Sequence, residues 1–197
     1  MRNSGEICEP EVYLSSEGVR ILGRFHRLKR TSTGATLDLD MRSYATGIVE
    51  FYRGLCGIEM TSLKRVPSPA LPESSMTDQE AEEQGVLHNQ ASKVLMRLLW
   101  LSRLSRPDLN FIIGRLAANV TRWSRWDDRQ LLRVISYLHH SSEFVTVAAV
   151  QYNCMPEIHV YTDADFASCP WSAKSTTGIV ICLITGDANI LAEQEAV

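Results

Sequence analysis

The chain has 197 residues, 45% of them apolar and 22% charged, which suits one or two globular domains with a packed core. A net charge of −3 excludes a generally basic coat for nucleic acid, so any basic surface must be local. No window is long and apolar enough for a membrane span or a signal-peptide core. The five cysteines lack CxxC spacing and suit reduced thiols, so an intracellular chain, cytoplasmic or nuclear and not secreted, is expected.

Residues 12–40 read as a β-hairpin. One strand covers Val19 to Leu28, Thr31-Ser32-Thr33-Gly34 makes the turn, and Ala35 to Asp40 alternates again. Asp40 then fits a helix N-cap, with Tyr44, Ile48, Phe51, Tyr52 and Leu55 at helical spacing before Gly57. Pro67, Pro69 and Pro72 lie among serines and precede an acidic run of Glu73, Asp78, Glu80, Glu82 and Glu83. Proline fixes φ and removes donors, so 64–84 is expected to be an extended linker.

From Val86 to Ser141 the period is helical. Val94, Leu95, Leu98, Leu99 and Leu101 form one apolar face, and a break at Ser105-Arg106-Pro107-Asp108 opens a second helix, with Phe111, Ile112, Leu116 and Val120 on its buried stripe. Ser124 is expected to cap a third helix with Asp127 and Asp128 in its first turn and Leu131, Val134, Ile135 and Leu138 inside. Between Arg97 and Arg133 stand eight arginines and no lysine, against three aspartates, a local excess of five positive charges. Guanidinium forks match phosphates and aromatic faces stack on bases, so Arg106, Arg115, Arg122, Arg125 and Arg129 with Trp123 and Trp126 are the candidate nucleic-acid contacts. The alternative is that the arginines solvate outer helix faces while the tryptophans anchor packing.

Glu143 to Val150 is a further strand candidate. Then Ile158-His159-Val160-Tyr161-Thr162-Asp163-Ala164-Asp165 ends a β-branched, aromatic run on two carboxylates, and Ser175-Thr176-Thr177-Gly178 leads into a second apolar run. Asp163 at the end of a strand is the candidate catalytic carboxylate, and Asp163 with Asp165 the candidate ligands of a divalent cation. A nucleotide-sugar transferase also uses a DxD, but no nucleotide-binding α/β region precedes this one, and Ala167 breaks the DxDx[TV] phosphatase pattern.

In order and spacing these pieces resemble the C-terminal half of a copia-type LTR retrotransposon Pol polyprotein. Ile21-Leu22-Gly23 is similar to the family's "FLG" strand, Val66-Pro67-Ser68-Pro69 with Leu71-Pro72 to its "TPLP" linker, and Trp100-Leu101 followed by Ser105-Arg106-Pro107-Asp108-Leu109 to "YLA..TRPDI". Tyr161-Thr162-Asp163-Ala164-Asp165-Phe166-Ala167 with Ser175-Thr176-Thr177-Gly178 resembles "YSDADWAG…STSG". Met96 departs from the glycine usual ahead of "LLWL", where it is expected to crowd a close helix contact.

The resemblance implies an α+β chain. Residues 1–64 would be the end of a reverse transcriptase palm and thumb, 65–84 a Pro/acidic linker, 85–142 a three-helix connection region, and 143–197 the N-terminal part of an incomplete ribonuclease H-like sheet. It implies Mg²⁺ and RNA-directed DNA polymerase with ribonuclease H for the parent, with an RNA–DNA hybrid or DNA and the remainder of the Pol polyprotein as partners. Both chemistries need two metal ions caged by several carboxylates. The only adjacent aspartates, Asp127-Asp128, start a helix rather than sit on a palm hairpin, and the family's glutamate helix would follow Val197, since Glu193 and Glu195 fall too early. A truncated copy without catalysis is therefore expected, with residual nucleic-acid affinity. The alternative is a non-enzymatic helical nucleic-acid-binding module with no such ancestry.

Overall fold

The computed structural model describes residues 18–164, 175 and 177–186. The fold mixes α and β: a four-strand antiparallel sheet, a two-strand sheet and several helices. Contacts group the chain into two compact units, Met1–Leu28 with Asp38–Val147, and Lys29–Leu37 with Ala148–Val197. The proline-rich stretch falls inside the first.

Strands β1 (Val19–Ile21), β2 (Arg24–Arg30), β3 (Gly34–Asp40) and β4 (Thr146–Gln151) make the larger sheet in that order. The expected single strand from Val19 to Leu28 is broken in two. Leu22 (φ 51°) and Gly23 (φ 83°) both turn left-handed, so β1 folds back on β2 with Ile21 opposite Arg24. Two consecutive positive φ values are the signature of a type I′ turn, which matches the twist of the strands it joins. The turn expected at 31–34 is present, closed by the Thr31 amide donating to the Gly34 carbonyl at 2.9 Å.

Helix α1 (Arg42–Cys56) follows directly. Met41, not Asp40, occupies its cap position, yet the Asp40 carboxylate still accepts the Arg42 amide at 2.9 Å. Gly57, left-handed at φ 64°, ends the helix as expected. The segment expected to be an extended linker is instead structured and fastened. It carries a 3₁₀ turn at Glu73–Ser75 and helix α2 (Asp78–Glu82), whose first turn is closed by a Thr77–Glu80 capping box. Leu71 exchanges two hydrogen bonds with the Gln130 side chain, and the Gly85 amide donates to the Trp123 carbonyl at 3.0 Å.

Helices α3 (Ala91–Leu104), α4 (Asn110–Ala118) and α5 (Arg125–His140) supply the core with α1. Leu98, Leu101, Leu109, Ile113, Leu116, Leu131, Ile135 and Leu138 are fully buried. At about 1.5–3 kcal/mol per buried aliphatic side chain, this stripe packing outweighs any single polar contact in the block. Ser124 caps α5 through a capping box with Asp127. Two expectations fail here. Phe111 is 54% exposed and Ile113 takes the inward place, because Pro107–Leu109 forms a separate 3₁₀ turn that shifts the phase of α4. Met96 is 63% exposed on the outward side of α3, so it crowds no packed contact.

In the second unit, β5 (Pro156–Ala164) and β6 (Thr177–Thr185) pair antiparallel over nine positions, from Pro156 opposite Thr185 to Ala164 opposite Thr177. β4 begins at Thr146 rather than at Glu143 and belongs to the larger sheet.

Candidate nucleic-acid interface

The sequence places eight arginines on this helical block, but their exposures and partners differ. Arg106 is buried (3% exposed). Its Nε and Nη2 donate to the two oxygens of Asp108 at 3.0 and 2.7 Å, while Nη1 and Nη2 donate to the carbonyl and hydroxyl of Ser141 at 2.9 and 2.8 Å. The ring of Phe144 lies 5.2 Å from the guanidinium. Such a fork ties the start of α4 to the end of α5. It has no free donor edge for a phosphate.

Arg115, Arg125 and Arg129 are partly exposed, and each is ion-paired to the 64–84 segment. Arg115 pairs with Glu73, Arg125 Nη1 donates to Glu83 at 3.0 Å, and Arg129 Nη1 donates to both oxygens of Glu80 at 2.9 Å. Arg133 donates to the Ser68 carbonyl at 3.0 Å. Arg122 alone among the five candidate arginines has no ion pair among the described residues, and it is exposed. Trp123 and Trp126 are buried. Trp123 Nε1 donates to Asp128 at 2.7 Å, and Trp126 has the Arg129 guanidinium 5.3 Å from its ring. Neither ring face is open to a base.

The surface that sequence reasoning did not single out is the outward side of α3. Lys93, Arg97, Trp100 and Arg103 recur at steps of four, three and three, which puts them on one helix face. All four are exposed, Trp100 by 42%, and the three cations have no ion pair among the described residues. Arg97 rests over the Phe51 ring at 4.1 Å, which holds its stem while leaving the charge toward solvent. The spacing of these four residues was the available signal.

A concavity of about 340 Å³ lies beside α1 and is lined by Arg20, Phe25, Asp40, Arg42, Thr46 and Glu143 among others. Arg42 is already engaged there, donating to Asp40 at 2.7 Å and to Glu143 at 3.2 Å. The Arg42 hydrogen bonds hold the Asp40 carboxyl below the usual carboxylate range. The cleft is thus internally neutralised.

Asp163 is the penultimate residue of β5, exposed, and opposite Gly178. Alternation places it on the same side as Glu157, His159 and Tyr161, where His159 contacts Glu157 at 3.1 Å. Asp165 lies outside the described residues, as do Glu193 and Glu195. The two Mg²⁺ ions implied by the resemblance require several converging carboxylates. Among the described residues no group of three or more His, Cys, Asp or Glu could hold a metal, and Asp163 alone does not fit a two-metal cage. No family model, no curated protein and no solved structure matches this chain.

Proposed function

We propose that the chain derives from a copia-type Pol polyprotein, from the end of reverse transcriptase into the start of ribonuclease H, and that by itself it binds a nucleic-acid strand without catalysis. The ancestry is supported by the order and spacing of the Arg106-Pro107-Asp108 and Asp163-Ala164-Asp165…Thr177-Gly178 blocks. The binding is carried by one observation: three cations with no ion pair among the described residues flank an exposed tryptophan on α3. Lysine and arginine track phosphates, and an indole face accepts any base, so single-stranded DNA or RNA fits this surface without sequence preference. A binding module of unrelated ancestry would use the same surface; polymerase and integrase coding sequence beside the gene separates the two.

Titrating a labelled oligo(dT) strand across a salt series tests the binding. Each of Lys93→Ala, Arg97→Ala and Arg103→Ala is expected to flatten the log K against log salt slope by about 0.7, and Trp100→Ala to cost about 1–3 kcal/mol at constant slope. Affinity indifferent to all four substitutions sinks the α3 surface. With Mg²⁺ and an RNA–DNA hybrid no cleavage is expected. Cleavage that Asp163→Asn abolishes overturns the non-catalytic reading.

A further inference from the structure

We propose that the acidic segment from Glu73 to Glu83 is an intramolecular stand-in for phosphate, one that keeps the arginine row of α4 and α5 closed to polyanions until they displace it. This rests on the reading that the helical block binds nucleic acid, and it adds regulation of a second basic surface. The three carboxylates of Glu73, Glu80 and Glu83 meet Arg115, Arg129 and Arg125, residues 42, 49 and 42 positions away in sequence, so the pairing is tertiary rather than local. Arg129 Nη1 donates to both oxygens of Glu80 at 2.9 Å, a position that a phosphate oxygen could take in its place. The chain just before the segment is tied along α5 as well, through Gln130 to Leu71 and Arg133 to Ser68.

The closure is reversible by its chemistry. The side chains of Arg115, Arg125 and Arg129 are 31, 57 and 40% exposed, so the ion pairs are screened by salt and individually weak. A strand of phosphates carries many charges and releases its counterions on binding, which three separate carboxylates cannot match. The Arg129 hydrogen bond holds the Glu80 carboxyl below the ordinary glutamate range, and the Gln79 and Arg125 hydrogen bonds do so for Glu83, so both are charged at neutral pH.

The test compares wild type with Glu73→Gln/Glu80→Gln/Glu83→Gln, using labelled oligo(dT) and, separately, inorganic polyphosphate across a salt series. Freeing three arginines is expected to tighten oligo(dT) binding by on the order of tenfold and to steepen the salt slope by about two units. Because Glu80 also serves the capping box of α2, Glu73→Gln alone is measured beside it and is expected to steepen the slope by about 0.7. Arg115→Ala/Arg125→Ala/Arg129→Ala is expected to erase the gain of the glutamine variant and to weaken wild type by less than it weakens that variant. Equal binding by wild type and both glutamine variants overturns the closure, as does an arginine triple substitution that weakens wild type as much as it weakens the glutamine variant. Polyphosphate separates the two readings: a gain with polyphosphate but no binding of oligo(dT) by any variant discards nucleic acid as the ligand and keeps the closure. A gain with neither probe discards the closure.

Discussion

Arg106 shows how one residue type divides between two tasks within a single helical block. Its membership of the arginine cluster suggested a phosphate contact, yet the guanidinium is spent on Asp108, the Ser141 carbonyl and the Ser141 hydroxyl. Arg106→Ala is expected to destabilise the chain by about 3 kcal/mol, the low end for a broken buried pair, because Asp108 remains partly exposed and can rehydrate. Arg106→Lys keeps the charge but not the planar fork, and is expected to recover less than half of that loss. Urea midpoints check both. If Arg106→Ala leaves the midpoint in place and weakens oligo(dT) binding instead, the residue faces a ligand in solution. The sequence could not separate these roles because a buried arginine and an exposed one have the same composition signal. What differs is a partner 35 residues away.

The elements with a strong local period were legible, and those set by turns or distant charge were not. The stripes of α1, α3 and α5 repeat every three to four residues and need no knowledge of the partner helix. The capping box at Ser124 is equally local. The acidic run and the arginine row were both visible, but nothing local says that Glu73, Glu80 and Glu83 lie on Arg115, Arg129 and Arg125 rather than in solvent. The break between β1 and β2 was missed because Leu22-Gly23 lacks the Asn-Gly or Asp-Gly signal of a type I′ turn. That absence has an energetic consequence. A leucine held at φ 51° pays the Cβ–carbonyl clash of the left-handed region, about 1–2 kcal/mol, and Leu22 is 74% exposed, so it gains little packing in return. Leu22→Asn is therefore expected to stabilise the chain by about 1 kcal/mol, read as a rise in melting temperature. A fall would mean that the leucine side chain packs against something in solution.

At the scale of the whole molecule the two compact units differ in how they bury apolar surface. The first holds α1, α3, α4 and α5 around a contiguous core. In the second, the register of β5 with β6 sets Ile158, Val160 and Thr162 beside Leu183, Ile181 and Ile179 on one face, and the five aliphatic side chains there are 58–71% exposed. The opposite face mixes Glu157, His159, Tyr161 and Asp163 with Ile184, Cys182, Val180 and Gly178. Among the described residues the ribbon has interstrand hydrogen bonds but no covering layer, and a two-stranded ribbon without one is marginal in water. Its amides are therefore expected to exchange through local opening that costs no more than on the order of 2 kcal/mol, whereas amides of α3 and α5 wait for global unfolding. Native-state hydrogen exchange, resolved by residue and followed with added denaturant, checks this. The ribbon amides should be insensitive to low denaturant and those of Leu98, Leu131 and Ile135 should follow the global slope. Ribbon amides as protected as those of α5 would show that the Ile158–Val160–Ile181–Leu183 face is covered in solution. Repeating the exchange at tenfold lower protein concentration then tells a covering second copy, whose protection fades on dilution, from a cover supplied by the chain itself, whose protection does not.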